Sequence, residues 1–128
     1  MIPILVECGW NIGNPEEVSF EEEIWNNSGY FVGRCDCILR KDGVAVVIEV
    51  KKLGTSVNGY RKQLKRYRKY CRNKRTSIGI ITDGETWIII RGRKIKEEIE
   101  ISIWDDEFFD FLEALKKRRI KYKMDMLF

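Results

Sequence analysis

The stretch Gly33-Arg34-Cys35-Asp36-Cys37-Ile38-Leu39-Arg40-Lys41-Asp42-Gly43-Val44-Ala45-Val46-Val47-Ile48-Glu49-Val50-Lys51 decides the fold. Two strand-sized runs, 33–39 and 44–51, flank Lys41-Asp42-Gly43, and Asp-Gly between such runs signals a hairpin. A two-residue turn at Asp42-Gly43 pairs Lys41 with Val44. The ladder then sets Ile38 opposite Val47, Asp36 opposite Glu49 and Arg34 opposite Lys51. A three-residue turn would shift that register and spoil the opposition. Alternation puts Asp36, Glu49 and Lys51 on one face with Ile38, Ala45 and Val47, and Cys35, Cys37, Val46, Ile48 and Val50 on the other.

Outward from the hairpin, Met1 to Cys8 reads as a short helix ended at Gly9, and Val18 to Trp25 as a strand. After a loop at Gly54 to Gly59, Tyr60 to Arg72 is helical, with Tyr60, Leu64, Tyr67 and Cys71 forming one stripe. Ser77 to Thr82, the Asp83-Gly84 turn and Thr86 to Arg91 form a second hairpin. Lys94 to Ile103 adds a strand, and Asp105 to Arg118 a helix with Phe108, Phe109, Leu112 and Leu115 facing inward. The order αβββαβ, with a further C-terminal strand and helix, predicts an α/β fold with helices against a mixed central sheet.

The chain has 128 residues, enough for one domain and one core, expected to span 1–128. No apolar run approaches the ~20 residues that cross a bilayer. Met1 to Trp10 lacks a basic leader and contains Glu7, so neither a signal peptide nor a membrane partner is expected, and the location is read as cytoplasmic. There is no histidine, which excludes Ser-His-Asp and Cys-His catalysis and zinc sites built on His. Chemistry must run on carboxylates, lysine, cysteine or a bound ion. The mixture rich in Lys, Glu, Arg and Ile, with Gln63 the only glutamine, is thermophile-like. Cys35 and Cys37 have strand spacing rather than the C-x₂-C spacing of zinc knuckles, so buried thiols are the simpler reading.

Directly opposed side chains in a sheet have Cβ atoms ~5 Å apart, and like charges there repel. Two carboxylates on a face shared with Ile38, Ala45 and Val47 are costly unless something compensates them. A divalent cation would remove the repulsion. Oxygen ligands with no His or Cys beside them favour Mg2+, with Mn2+ able to substitute. Lys51 points at the same spot, where an ammonium can orient water or offset phosphate charge. The competing reading makes Asp36 and Glu49-Val50-Lys51 plain charges on a wetted strand. Both readings stand at this point.

From Tyr60 to Arg75 the chain carries Arg61, Lys62, Lys65, Arg66, Arg68, Lys69, Arg72, Lys74 and Arg75 with no acid among them. A solvated helix normally mixes signs to gain i, i+4 pairs, so one sign on one helix reads as a phosphate-binding surface. Alternatively these residues neutralise acids elsewhere, such as Glu97, Glu98 and Glu100. A second cluster, Lys116, Lys117, Arg118 and Arg119, is explained by the dipole of a helix C-terminus.

Asp36 followed by Ile48-Glu49-Val50-Lys51 resembles the PD-(D/E)XK signature of the restriction-endonuclease-like superfamily. Gly9-Trp10, Gly33-Arg34-Cys35-Asp36, the segment Ile48 to Gly54, Gln63-x-x-x-Tyr67 and the segment Ile81 to Trp87 occur in order across about residues 9–90. That series is similar to the N-terminal nuclease domain of type I restriction enzyme motor subunits. The resemblance implies a restriction-endonuclease-like core and a Mg2+-dependent DNA endonuclease that hydrolyses phosphodiester bonds with metal-activated water. Asp36 and Glu49 would ligate the metal with the Val50 carbonyl, and Lys51 would position the water. Gln63 and Tyr67 would hold the DNA backbone or the site geometry. Many members carry an acid on the helix before Gly-Trp. Here Glu7 is the only acid on that segment, and Glu21, Glu22 and Glu23 follow on the next, so Glu7 or Glu23 is the candidate third ligand. Arg61, Lys62, Lys65, Arg66, Tyr67 and Lys69 form the expected DNA contact. Cutting both strands would call for two sites, which a homodimer supplies. The alternatives are a catalytically impaired DNA-binding module on the same fold and an RNA-binding or assembly protein.

Overall fold

Asp42 and Gly43 both adopt positive φ, 52° and 80°, the backbone of a type I′ turn whose twist matches the strands it joins. The computed structural model describes residues 1–52, 57–70, 76–91 and 97–117. Within them the elements are α1 (Ile2–Glu7), β1 (Val18–Trp25), β2 (Phe31–Lys41), β3 (Val44–Val50), α2 (Val57–Tyr70), β4 (Thr76–Thr82), β5 (Thr86–Arg91), β6 (Glu97–Ser102) and α3 (Glu107–Leu115). The strands form one sheet in the order β1-β2-β3-β4-β5-β6. Neighbours are antiparallel except β3 and β4. Those two are parallel because α2 carries the chain between them. The fold is therefore α/β, a mixed sheet flanked by helices, as the sequence predicts.

The sheet has a core on each face. Leu64 and Tyr67 of α2 pack with Ile24, Ile38, Ala45, Val47, Ile81 and Ile88 on one side. Leu5 of α1 and Phe111, Ala114 and Leu115 of α3 pack with Leu39, Val46, Ile48, Ile80 and Trp87 on the other. Covered on both faces, β3 is buried from Val44 to Glu49, which is why its apolar run is continuous rather than alternating. Gly9-Trp10 serves this second face. The Trp10 indole N–H donates to the Leu115 carbonyl at 2.8 Å, satisfying an acceptor that a helix end leaves open. No helix among the described residues is long and apolar enough to cross a membrane.

Several expectations are corrected. Helix α2 begins at Val57, inside the stretch read as a loop through Gly59, because Val57 packs against the α2-side core and tertiary contact outweighs the glycine. In α3, Phe109 is 75% exposed while Phe111 is fully buried. The inward stripe runs Phe108, Phe111, Leu112 and Leu115 at helical spacing. Cys35 and Cys37 do not share a face: Cys37 packs under α3 and Cys35 under α2. Alternation breaks between them because the β2–β3 ladder ends at Cys37–Ile48, while Glu21 of the facing strand takes φ 50°. Cys71, Arg72, Lys74, Arg75, Arg118, Arg119 and the expected start of the last strand at Lys94 lie outside the described residues.

Helix α2 rests closely on β4 at Gly79. A Cβ there would stand 2.8 Å from Leu64 Cγ and 3.0 Å from Arg68 Cδ, so alanine must push the helix away from the sheet. Gly79→Ala is expected to lower stability by about 1–3 kcal/mol, read as a lower urea midpoint at constant slope. An unchanged midpoint would show that α2 does not bear on this position.

Candidate functional site

Asp36 sits where β2 has left its ladder with β3 and skips a pair in its ladder with β1. The β1–β2 pairing includes Cys35 and Cys37 but not Asp36, and the β2–β3 pairing, running from the turn, ends at Cys37. Side chains take over from there. The Val50 N–H donates to Asp36 Oδ2 at 2.8 Å, and the Asp36 N–H donates to Glu49 Oε1 at 3.2 Å. The Asp42-Gly43 turn thus brings Asp36 and Glu49 together as the register predicts, and each carboxylate accepts from the neighbouring strand.

Glu49 is only 4% exposed. Burial first, and then the charge of Asp36, pushes its carboxyl up to about 7. The same surroundings raise the Tyr67 phenol, through burial and then Glu49, and push the Cys35 thiol well up through burial and then Glu49. Cys35 is accordingly a neutral thiol and a poor nucleophile. Its Sγ lies 3.6 Å from the Ile48 carbonyl.

Lys51 follows on the α2 face. Parallel pairing of Val50 with Thr82 places Lys51 beside Asp83, and the Lys51 ammonium faces the Asp83 carboxylate at 3.9 Å. Asp83 is held by the Glu85 and Thr86 N–H groups at 2.9 and 2.8 Å. Those backbone bonds, chiefly that of Thr86, keep its carboxyl low. No spacing in the sequence singles out Asp83 as a site residue. It occupies the Asp-Gly turn after β4, and only the parallel alignment of β4 with β3 brings it to Lys51.

Tyr67 reaches the site from α2. A Cβ on Gly33 would lie 2.5 Å from the Tyr67 hydroxyl and 3.1 Å from its ring, so only glycine lets the ring cross the strand three residues before Asp36. Gln63, one turn earlier, is exposed, and among the described residues no hydrogen bond joins it to the acids.

The candidate third acids lie elsewhere. Glu7 lines a surface pocket with Cys8, Lys41, Lys116 and Lys117, at the turn end of β2. Glu23 pairs with Arg34 at 3.5 Å, and Glu22 engages Arg40 through both carboxylate oxygens. Among the described residues no three His, Cys, Asp or Glu side chains gather as a metal set. On α2, Lys62, Lys65, Arg66 and Lys69 are exposed. Arg61 instead binds Glu98 of β6 at 2.9 Å, as the neutralising alternative expects.

A carboxyl raised by burial holds its proton more tightly folded than unfolded. Glu49 therefore contributes stability below its ordinary value of 4.5 that is lost as pH rises towards about 7. Glu49→Gln, always neutral, is expected to unfold with a flatter pH profile across that window. The parent should fall relative to it by roughly 1–3 kcal/mol. Parallel profiles in urea titrations would show that Glu49 does not titrate there.

Neither the family models nor the curated proteins contain a match to this chain. A solved structure described as the crystal structure of SSO0001 is similar at 23% identity and a TM-score of 0.36, over 94% of this chain and 57% of that one. The chain thus spans little more than half the length of that protein.

Proposed function

We propose that this chain is a Mg2+-dependent DNA endonuclease of the PD-(D/E)XK, restriction-endonuclease-like kind. The observation that carries the reading is the meeting of Asp36 and Glu49 where β2 and β3 part, with Lys51 beyond them. The αβββαβ order, with the two acids on the second and third strands and the Gln63–Tyr67 helix after them, supports the same assignment.

The donors suit a hard divalent cation. Two carboxylates lie together in mostly apolar surroundings, and the proton that Glu49 retains near neutral pH does what a cation would do better. The Val50 carbonyl at the strand end is a further oxygen donor. When bound, the cation would polarise a phosphate oxygen and acidify water beside it. The protein residues do the rest. Asp36 and Glu49 would fix the position, and Glu49 would have to shed its proton to ligate, so binding would release a proton. Lys51, paired with Asp83 just beyond the end of β3, would offset negative charge developing on the phosphate. Lys62, Lys65, Arg66 and Lys69 supply a one-sign surface for the backbone. A second reading, a DNA-binding module without cleavage, is favoured by one observation: only two acids converge among the described residues.

Labelled duplex, single-stranded and branched DNA, incubated with Mg2+, Mn2+ or chelator, separate the two. Cleavage that requires the metal is expected. Asp36→Ala or Glu49→Ala should abolish it with DNA binding retained, and Lys51→Ala should cost about 10²–10³ in rate. Binding without cleavage in either metal would leave the module, and stronger competition by RNA than by DNA at matched salt would remove DNA as the partner. If the four exposed cations of α2 each neutralise a phosphate, the log–log salt slope is roughly −3 to −4. Alanine at Lys65 and Arg66 should reduce it by about 2, and an unchanged slope would take the helix out of the contact.

A further inference from the structure

Helix α2 crosses the sheet obliquely. Arg61 meets Glu98 of β6, Leu64 and Arg68 lie over Gly79 of β4, and Tyr67 reaches Gly33 of β2. The cations of this one helix therefore stand at different distances from Asp36 and Glu49. Glu98 belongs to β6, three strands along the sheet from β3, which is roughly 14 Å at the ~4.8 Å spacing of neighbouring strands. Arg66 stands nearer the acids. Burial first, and then Glu49, Cys35 and Asp36, raise the Tyr67 phenol, and Arg66 is the cation that opposes them.

Arg61 is already engaged. Its Nε and Nη2 donate to the two Glu98 oxygens at 3.0 and 2.9 Å, and its Nη1 donates to Asn58 Oδ1 at 3.2 Å. A planar fork set on two oxygens is also how arginine holds a phosphate, so Glu98 occupies the place that a phosphate would take. Glu100 stands behind it. Cross-strand pairing with Ile90 and Ile88, which pack under α2, turns Glu98 and Glu100 to the same face as the helix. The Glu98 hydrogen bond first, and the charges of both acids with it, raise the Arg61 guanidinium. Two carboxylates against one guanidinium leave that corner net negative. A helix of one sign attracts phosphates along its whole length, and an acid pair at one end gives the track a boundary.

We propose that Glu98 and Glu100 withhold Arg61 from phosphates and so confine the nucleic-acid backbone to the exposed cations of α2 that lead to Tyr67 and the acids. Glu98 is thereby a positioning residue for the substrate, acting through Arg61. This rests on the nucleic-acid part of the function proposed above and does not need cleavage. The test is equilibrium binding of a fluorescein-labelled blunt DNA duplex in chelator, where no cutting occurs, titrated from about 50 to about 200 mM salt. The side chains of the pair are 30% and 34% exposed, so their replacement leaves the core untouched.

Glu98→Gln with Glu100→Gln opens Arg61, and the log–log salt slope is expected to steepen by about 0.9, the increment for one more phosphate. Over that range of salt, the affinity of the double variant relative to the parent should then fall by about 3.5-fold. Arg61→Ala alone should leave the parent slope unchanged, and Arg61→Ala added to the double variant should cancel the steepening. A parent slope that drops by about 0.9 with Arg61→Ala would show Arg61 on a phosphate already and overturn the proposal. An unchanged slope in the double variant, or a steepening that survives Arg61→Ala and so reflects bulk charge, would overturn it as well. Either result, with binding still dependent on Lys65 and Arg66, leaves the nucleic-acid reading standing. Absence of salt-dependent binding by the parent would remove that reading and this inference together.

Discussion

Beyond Cys37 and Ile48, the pairing of β2 with β3 passes from backbone to side chains, and the rest of the site depends on that exchange. Asp36 Oδ2 and Glu49 Oε1 occupy positions where a ladder would have placed carbonyl oxygens. The strands can part there without stranding the Val50 and Asp36 N–H groups. The consequence is electrostatic. A carboxylate used as a ladder acceptor inside a covered sheet cannot turn out to water, so Glu49 remains buried beside Asp36 and its charge is opposed by both burial and neighbour. A backbone carbonyl would have sealed the gap at lower cost and offered no titratable group.

The elements around the two acids keep them in place. Tyr67 crosses Gly33 so closely that the strand and helix α2 cannot shift independently. On the other face, Ile48 and Cys37 are fixed in the core under α1 and α3. Between these layers the acids have little freedom, which is the condition for preorganised charge. Lys51 is tethered differently. Its partner Asp83 belongs to a turn and is held by backbone N–H groups, so the ammonium is paired with an acid that is itself fixed at the adjacent strand end.

The sequence revealed whatever depends on local chemistry. Asp-Gly between apolar runs fixed the turn type and hence the register that opposes Asp36 to Glu49, and the Tyr60, Leu64, Tyr67 stripe fixed the buried face of α2. Long-range placement was hidden. Nothing in the residues marks the end of the β2–β3 ladder, so strict alternation places Cys35 on the wrong face. Asp83 became part of the site only through the parallel alignment of β4 with β3. The basic run likewise carries no sign of which cation is spent within the fold, and Arg61 is spent on Glu98. Phe109 and Phe111 differ by two positions, and only the way α3 packs on the sheet decides which one is buried.

A histidine-free chain has few groups that change charge near neutral pH. Burial and Asp36 move Glu49 there, and the two uses of such a carboxyl exclude each other. As a general base it must keep a lone pair free and exchange protons with water. As a ligand it must be ionised with that lone pair engaged. Its position argues for the second use: it is closed from solvent, one oxygen already accepts from the Asp36 N–H, and the nearest charge is another carboxylate. A base so placed would gain a proton that it could not readily deliver. A cation that replaced the proton would leave the backbone hydrogen bonds as they stand and relieve the repulsion as well, so the same geometry can serve the protein with or without metal. On the nuclease reading proposed above, proton handling would then fall to water rather than to Glu49.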